Sequence, residues 1–177
     1  ILGLIPQDGD LFQMFLDLLV EGIVGFYDTE TRELYVISEV DEITAMDELT
    51  LAHEYVHALQ QQHFDIHTLM EERRDDSEAG AALDALIEGD ATAVQSIYLY
   101  EHMTSEQRSE IFGESADNPV FDTSPYFLQQ SLLFPYLQGA ELVNFLLFGG
   151  GWDLVNDAYA TPPTSTEQVL HPQSYID

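Results

Sequence analysis

The sequence contains no cysteine and no lysine. Without cysteine, disulfide bonds, thiolate catalysis and cysteine-ligated zinc or iron–sulfur sites are excluded. Only four residues are lysine or arginine, all of them arginine, against 33 aspartates and glutamates, so the formal net charge is −29 over 177 residues. A chain this acidic repels phosphate backbones and anionic lipid headgroups, so we expect no nucleic-acid partner and no electrostatic docking on a membrane.

Long uninterrupted apolar runs are also missing, since the longest covers residues 145–148 and a bilayer span needs about 20. The acidic residues are spread along the chain, which is typical of a charged surface. We interpret this surface as adaptation to concentrated salt, which screens self-repulsion; an ordinary acidic protein is the alternative. Because 45% of the residues are hydrophobic, we expect one folded domain over residues 1–177, with an upper part over about 1–64 and a lower part over 65–177.

Hydrophobic periodicity predicts a mainly helical α+β fold with one small antiparallel sheet. The sheet is a hairpin of strands 24–27 and 34–37. The predicted helices cover about residues 11–21, 47–63, 77–102, 126–148 and 152–160, with a short one ending near 113. Pro135 is expected to kink its helix, the glycines at 149–151 to end it, and residues 118–125 to form a loop.

An HExxH motif, His53-Glu54-Tyr55-Val56-His57, lies inside the predicted helix over 47–63. Residues four apart on a helix are separated by about 40° around the axis, so both imidazoles project from one face and can share a metal ion. Glu54 lies about 100° from His53, where it can hold a water molecule without being a ligand. Two surface histidines on a polar helix face are the alternative, and a third ligand decides between them.

His63 is the first candidate for that third ligand. It has the spacing of the last histidine in a metzincin HExxHxxGxxH motif, but Gln60 stands where that motif has the glycine that turns the chain back. If the helix continues, His63 lies about 240° around from His57 and about 9 Å along the axis, out of reach of the metal. We therefore interpret His63 as a surface or helix-end residue.

Glu88 is the second candidate, on a polar stripe of the helix predicted over 77–102. Ala91, one turn further on, is small enough to let this helix pack closely against the HExxH helix and bring the carboxylate to the metal. A solvated surface carboxylate is the alternative in so acidic a chain. Asp84 and Asp90 are weaker ligand candidates for the same reason.

HExxH on one helix followed by Glu88-Gly89-Asp90-Ala91 on the next resembles the gluzincin clan of zinc metallopeptidases, including the small minigluzincins. The order helix, hairpin, HExxH helix and glutamate helix is similar to the compact catalytic domains of that clan. The resemblance implies a zincin-like domain that holds one Zn²⁺ on His53, His57 and Glu88. It also implies Glu54 as the general base in hydrolysis of a peptide or protein substrate.

The oxyanion of such a reaction needs a donor besides the metal, and we expect His171 to supply it. Glu167 lies four residues earlier and can orient the imidazole, although such a pair is also common as a plain feature of helix surfaces. Tyr175 and Tyr159 are the alternatives. We thus predict a zinc endopeptidase; a metzincin-like site using His63, an inactive metal-binding or interaction module, and a calcium-binding polyanion are the other hypotheses.

Overall fold

The computed structural model describes residues 9–22, 24–37, 42–113 and 118–176. Over these residues the chain is mainly helical with one two-stranded antiparallel sheet, which confirms the predicted fold class. In chain order the elements are α1 (Leu11–Gly22), β1 (Gly25–Asp28), β2 (Glu33–Val36), α2 (Ala45–Phe64), α3 (Ile66–Arg73), α4 (Ser77–Glu101), α5 (Ser105–Gly113), α6 (Pro119–Thr123), α7 (Tyr126–Ala160), α8 (Thr166–Leu170) and α9 (Gln173–Ile176).

The main hydrophobic core lies where α4 packs along α7. Its completely buried side chains come from both helices: Ala82, Leu83, Ala85 and Leu86 from α4, and Leu142, Val143 and Leu146 from α7. The two backbones come closest at Gly89 and Gly139, where a Cβ on Gly89 would lie 2.1 Å from the carbonyl carbon of Gly139. Only glycine permits so close a crossing. This contact fixes α4 at the residue directly after Glu88.

Helix α2 carries the HExxH motif and begins at a capping box. The Asp47 N–H donates to the Thr44 hydroxyl at 3.1 Å, and the Thr44 N–H donates to the Asp47 carboxylate at 2.9 Å. The helix ends at Asp65, whose φ of 51° is left-handed. Because α2 is unbroken between these ends, His53 and His57 have the one-turn spacing that the motif requires.

The hairpin packs on α2 beside the motif. Its strands pair with Gly25 opposite Val36 and Tyr27 opposite Leu34. A Cβ on Gly25 would lie 2.8 Å from Cγ2 of Thr50 and 3.2 Å from Cγ of Glu54. Glycine at this position therefore lets β1 lie directly against the face of α2 that carries Glu54.

One local prediction for the second half of the chain was wrong, and another was confirmed. Residues 118–125 contain α6, because Pro119 at its first turn already has the φ angle of a helix. Pro135 lies inside α7 with a helical backbone, and the non-helical residue is Gly151, with φ 67°. This confirms the predicted break at the glycines of 149–151, which divides α7 into two helical parts. The proline ring fixes φ near the helical value, whereas a positive φ is open mainly to glycine. Helices α3 and α9 were not predicted.

One described helix, α7, is long and apolar enough to cross a bilayer by length and composition alone. The core helix of a folded domain passes the same test. Leu142, Val143 and Leu146 of α7 are completely buried against α4. Only 22% of its most apolar 18-residue stretch is buried, so α7 is a core helix along its α4 side and is no clear membrane span.

Candidate metal centre

Side chains from two helices meet on one face of the HExxH motif. Nε2 of His53 lies 3.1 Å, and Nε2 of His57 3.5 Å, from the same carboxylate oxygen of Glu88 on α4. One ligand atom from each residue lies within 4.8 Å of the other two. Ligand atoms on a tetrahedral zinc with bonds of about 2 Å are about 3.3 Å apart. The donor set and its spacing therefore fit one divalent ion.

The two imidazoles come from consecutive turns of α2, and their ring centroids are 4.9 Å apart with the planes at 82°. His53 and His57 are each only 8% exposed. A buried imidazole that shares a carboxylate with a second imidazole has little conformational freedom to lose when an ion binds. The helix thus presents two ligands that are already in place.

The electrostatics of the cluster favour a cation. Burial alone raises the pKa of Glu88, but hydrogen bonds from His53 and His57 and their positive charge outweigh it and hold this pKa at about 2. Burial lowers the pKa of His57, and the hydrogen bond and charge of Glu88 more than reverse that effect, so the pKa is raised. An ionised carboxylate beside an imidazole whose pKa it raises is an arrangement in which a divalent metal can bind in the proton's place.

Glu54 lies beside the three-residue cluster and does not belong to it. It is 8% exposed. Burial raises the pKa of Glu54 by more than the nearby His57 and His53 and the Tyr27 backbone N–H lower it, so this pKa is raised overall. A carboxylate whose pKa is raised by its surroundings is a stronger proton acceptor once ionised. Its placement fits the predicted general base.

A cavity of about 220 Å³ opens next to the cluster. It is lined by Val24, Gly25, Thr50, His53, Glu54, Gln95 and Tyr136. The hairpin, α2, α4 and α7 all contribute to its wall, so the open cleft beside the candidate ligands is lined by elements that are distant in sequence. Any group that enters this cavity contacts His53 and Glu54 directly.

Tyr136 is a site residue that the sequence did not reveal. Its ring centroid is 6.1 Å from that of His53. Burial, followed by the negative charges of Glu88, Glu54 and Asp84, raises the pKa of the Tyr136 phenol. The hydroxyl therefore stays protonated and can donate a hydrogen bond into the cavity. No motif or spacing connects Tyr136 with the HExxH helix, because the packing of α7 across α4 brings it there.

The other sequence candidates lie elsewhere. His171 is exposed at the end of α8, with Nε2 3.8 Å from the Glu167 carboxylate. The Tyr175 hydroxyl donates to the carbonyl of Thr161 at 2.7 Å. Neither residue is among those that line the cavity in the described part of the chain. His63 is exposed on α2, and the structure brings Glu88 to the two imidazoles in its place.

No family model, curated protein or solved structure matches this chain. The resemblance to the gluzincin clan therefore depends on the residues themselves. A cluster of His53, His57 and Glu88 is consistent with that clan but not diagnostic of it. The structure supports a possible metal-binding centre, and any catalytic role must be argued from the geometry around it.

Proposed function

We propose that the protein is a zinc-dependent peptidase whose metal is held by His53, His57 and Glu88. The observation that carries this proposal is the convergence of these three side chains beside a cavity that also contains Glu54. Structural zinc sites are closed by four protein ligands, whereas catalytic sites have three and keep one position open. Three ligands next to an open cleft favour the catalytic kind.

A bound zinc ion would supply a Lewis acid that acidifies a water molecule and polarises a carbonyl group. Glu54 would accept one proton from the attacking water as the water oxygen forms a bond to the peptide carbonyl carbon. The carbon–nitrogen bond then breaks, and Glu54 returns the proton to the departing amine. The Tyr136 hydroxyl donates a hydrogen bond to the carbonyl oxygen as negative charge develops on it.

The strand beside the cavity supports a peptide as the substrate. Val24 and Gly25 line the cavity. Among the described residues β1 pairs only with β2, so no further strand lies on its other edge, where the Tyr27 N–H donates to the Glu54 carboxylate. An extended peptide can add to an unpaired strand edge through main-chain hydrogen bonds. This edge would hold a substrate across the cavity beside Glu54.

Zinc binding and proteolysis of the native chain and of Glu54→Gln test the proposal, in an assay with multimolar salt. We expect Glu54→Gln to bind zinc like the native protein and to lose about 10²–10⁴-fold in kcat, the range for removal of a general base. Glu71→Gln is the matched control, since it makes the same change on an exposed carboxylate of α3. Zinc binding without Glu54-dependent cleavage would instead support the metal-binding module.

The third ligand is tested by a second pair of variants. We expect Glu88→Gln to weaken zinc binding by more than about 100-fold, because it removes a charged ligand. Loss of a residue that only supports a ligand typically costs about 10–100-fold. His63→Gln should leave the affinity unchanged. The reverse result would support the metzincin-like alternative.

A further inference from the structure

A buried chain of hydrogen bonds leads away from the metal centre and joins α2, α4 and α7. Nδ1 of His57 lies 2.9 Å from Oε1 of Gln60. Nε2 of Gln60 lies 2.9 Å from Oδ2 of Asp90, and the Tyr159 hydroxyl donates to the same oxygen at 2.7 Å. Gln60, Asp90 and Tyr159 are 2%, 7% and 3% exposed. None of the three contributes an atom to the ligand cluster.

The donors and acceptors of this chain can be assigned from Gln60. Its amide nitrogen faces two acceptors, the carbonyl of Ile87 at 3.0 Å and the carboxylate of Asp90 at 2.9 Å. Turning the amide over would place its oxygen against both of those oxygens, so only one orientation satisfies all partners. The amide oxygen therefore faces His57.

This orientation fixes the tautomer of His57. An amide oxygen has no hydrogen to give, so the 2.9 Å contact requires that Nδ1 of His57 carries the hydrogen and donates it. In a neutral imidazole the other nitrogen, Nε2, then has a free lone pair. Nε2 is the atom that lies 3.5 Å from Glu88, on the side of the candidate ion.

Asp90 and Tyr159 hold Gln60 in that orientation. Asp90 accepts a hydrogen bond from the Gln60 amide, and the same Asp90 oxygen accepts a second one from the Tyr159 hydroxyl. The Tyr159 ring is in turn stacked on Phe64 of α2, with centroids 4.1 Å apart and planes at 1°. Each member is therefore restrained by packing or by a charged partner.

We propose that Gln60, Asp90 and Tyr159 are positioning residues that hold His57 with Nε2 free to bind the metal. This inference rests on the proposed function, because it needs an ion at the three ligands. Partners behind a metal-binding histidine fix its ring and tautomer, and their loss typically costs 10–100-fold in metal affinity. The same loss is expected here without any change in the ligands themselves.

Zinc affinity of the whole chain, measured by competition with a chelator, tests the inference without any substrate. We expect Gln60→Leu to weaken binding by about 10–100-fold, Asp90→Asn by about 10-fold, and Tyr159→Phe by less, since each acts one step further from His57. Gln61→Leu is the matched control. Gln61 is 5% exposed on the same helix, but its side chain bonds to Asp65 and to the His67 N–H instead, so its loss should change affinity by less than about two-fold.

A spectroscopic signature separates positioning from general loosening of the fold. In the zinc-loaded native chain, ¹⁵N-edited NMR should show a downfield Nδ1–H proton on His57 that is hydrogen-bonded to Gln60. That resonance should move upfield in Gln60→Leu and stay in place in Gln61→Leu. Tyr159→Phe keeps the ring stack on Phe64 and tests the chain even if Gln60→Leu does not fold.

Native-like zinc affinity in all three variants would overturn the inference, as would an equal loss in Gln61→Leu or a His57 that binds zinc through Nδ1. Zinc binding by the native chain without hydrolysis would overturn only the proposed function. A native chain that binds no zinc would overturn both.

Discussion

At the scale of single residues, Asp84 has the clearest dependence on pH. It lies one turn before Glu88 on α4, where partial desolvation and then the Glu88 carboxylate raise its pKa from 3.8 to about 6. The residue is exposed at the surface, so solvent screens part of this effect and the stability change is small. Between these values the unfolded chain releases the Asp84 proton while the folded chain keeps it. The side chain therefore destabilises the fold progressively as pH rises from about 4 to about 6, and by a constant amount above that.

Asp84→Asn should remove this penalty. In the zinc-free protein we expect the variant and the native chain to unfold at similar urea concentrations at pH 4, and the variant to be the more stable at pH 7, with the salt concentration held constant. Asp28→Asn should act in the opposite direction, because hydrogen bonds from the Thr31 and Glu30 backbone lower the pKa of Asp28. That carboxylate contributes stability at pH 7 that is lost at low pH. A pH-independent effect of Asp84→Asn would contradict the placement of Asp84 beside Glu88.

Tyr136 permits a second test at this scale. Tyr136→Phe keeps the ring beside His53 and removes only the hydroxyl, so we expect zinc affinity to be retained and kcat to fall by about 10²–10³-fold, the usual effect of losing one oxyanion donor. Steady-state kinetics should show the loss in kcat and little change in KM. His171→Gln and Tyr175→Phe should leave kcat nearly unchanged. A loss of kcat in His171→Gln but not in Tyr136→Phe would instead support His171, the oxyanion donor that the sequence favoured.

At the scale of helices, the crossing of α4 and α7 controls where Glu88 lies. A Cβ on Gly89 would lie 2.1 Å from the Gly139 backbone, so Gly89→Ala must push the two helices apart. We expect a loss of about 1–3 kcal/mol in the free energy of unfolding, together with weaker zinc binding as Glu88 moves away from the imidazoles.

Gly80→Ala is the control for this substitution. It makes the same change in the same helix, but a Cβ there would lie 3.6 Å from the nearest heavy atom, the Arg73 carbonyl oxygen, which is ordinary contact. Alanine favours a helix interior over glycine by about 0.5–1 kcal/mol, so urea denaturation should show a gain. Equal effects of the two variants would mean that the crossing at Gly89 is not tight.

Helix periodicity and motif spacing predicted the two elements that carry the candidate ligands. They did so because α2 and α4 are long, have an apolar stripe and begin at capping residues, so the local pattern and the fold agree. The position of Glu88 beside the imidazoles depends on a contact between helices, which local sequence patterns do not describe. The sequence alone therefore left His63 as an alternative third ligand. Tyr136 depends on a further crossing, that of α7 with α4, which no local pattern describes. His171 was favoured from its spacing to Glu167, and the structure shows that pair on the surface.

At the scale of the whole molecule, net charge outweighs any single interaction. The charge is −29, and the described cations neutralise little of it. Arg74 pairs with Glu71, and the half-buried Arg73 lies 3.6 Å from the exposed Glu72 carboxylate. The Arg108 guanidinium donates to backbone carbonyls, including that of Met103. At low ionic strength the carboxylates therefore repel one another in the compact state more than in the unfolded chain.

Salt should stabilise this protein strongly. The Debye length falls from about 10 Å at 0.1 M to about 3 Å at 1 M, so most of the repulsion between neighbouring carboxylates is screened within that range. We expect the midpoint of urea unfolding to rise steeply up to about 1 M NaCl and more slowly beyond it, and KCl at equal ionic strength to give the same curve. A neutral osmolyte such as sucrose stabilises by exclusion from the surface and not by screening, so it should lack the steep initial rise. A midpoint that is independent of NaCl would contradict self-repulsion as the dominant whole-molecule effect, and the adaptation to high salt inferred from the composition would fall with it.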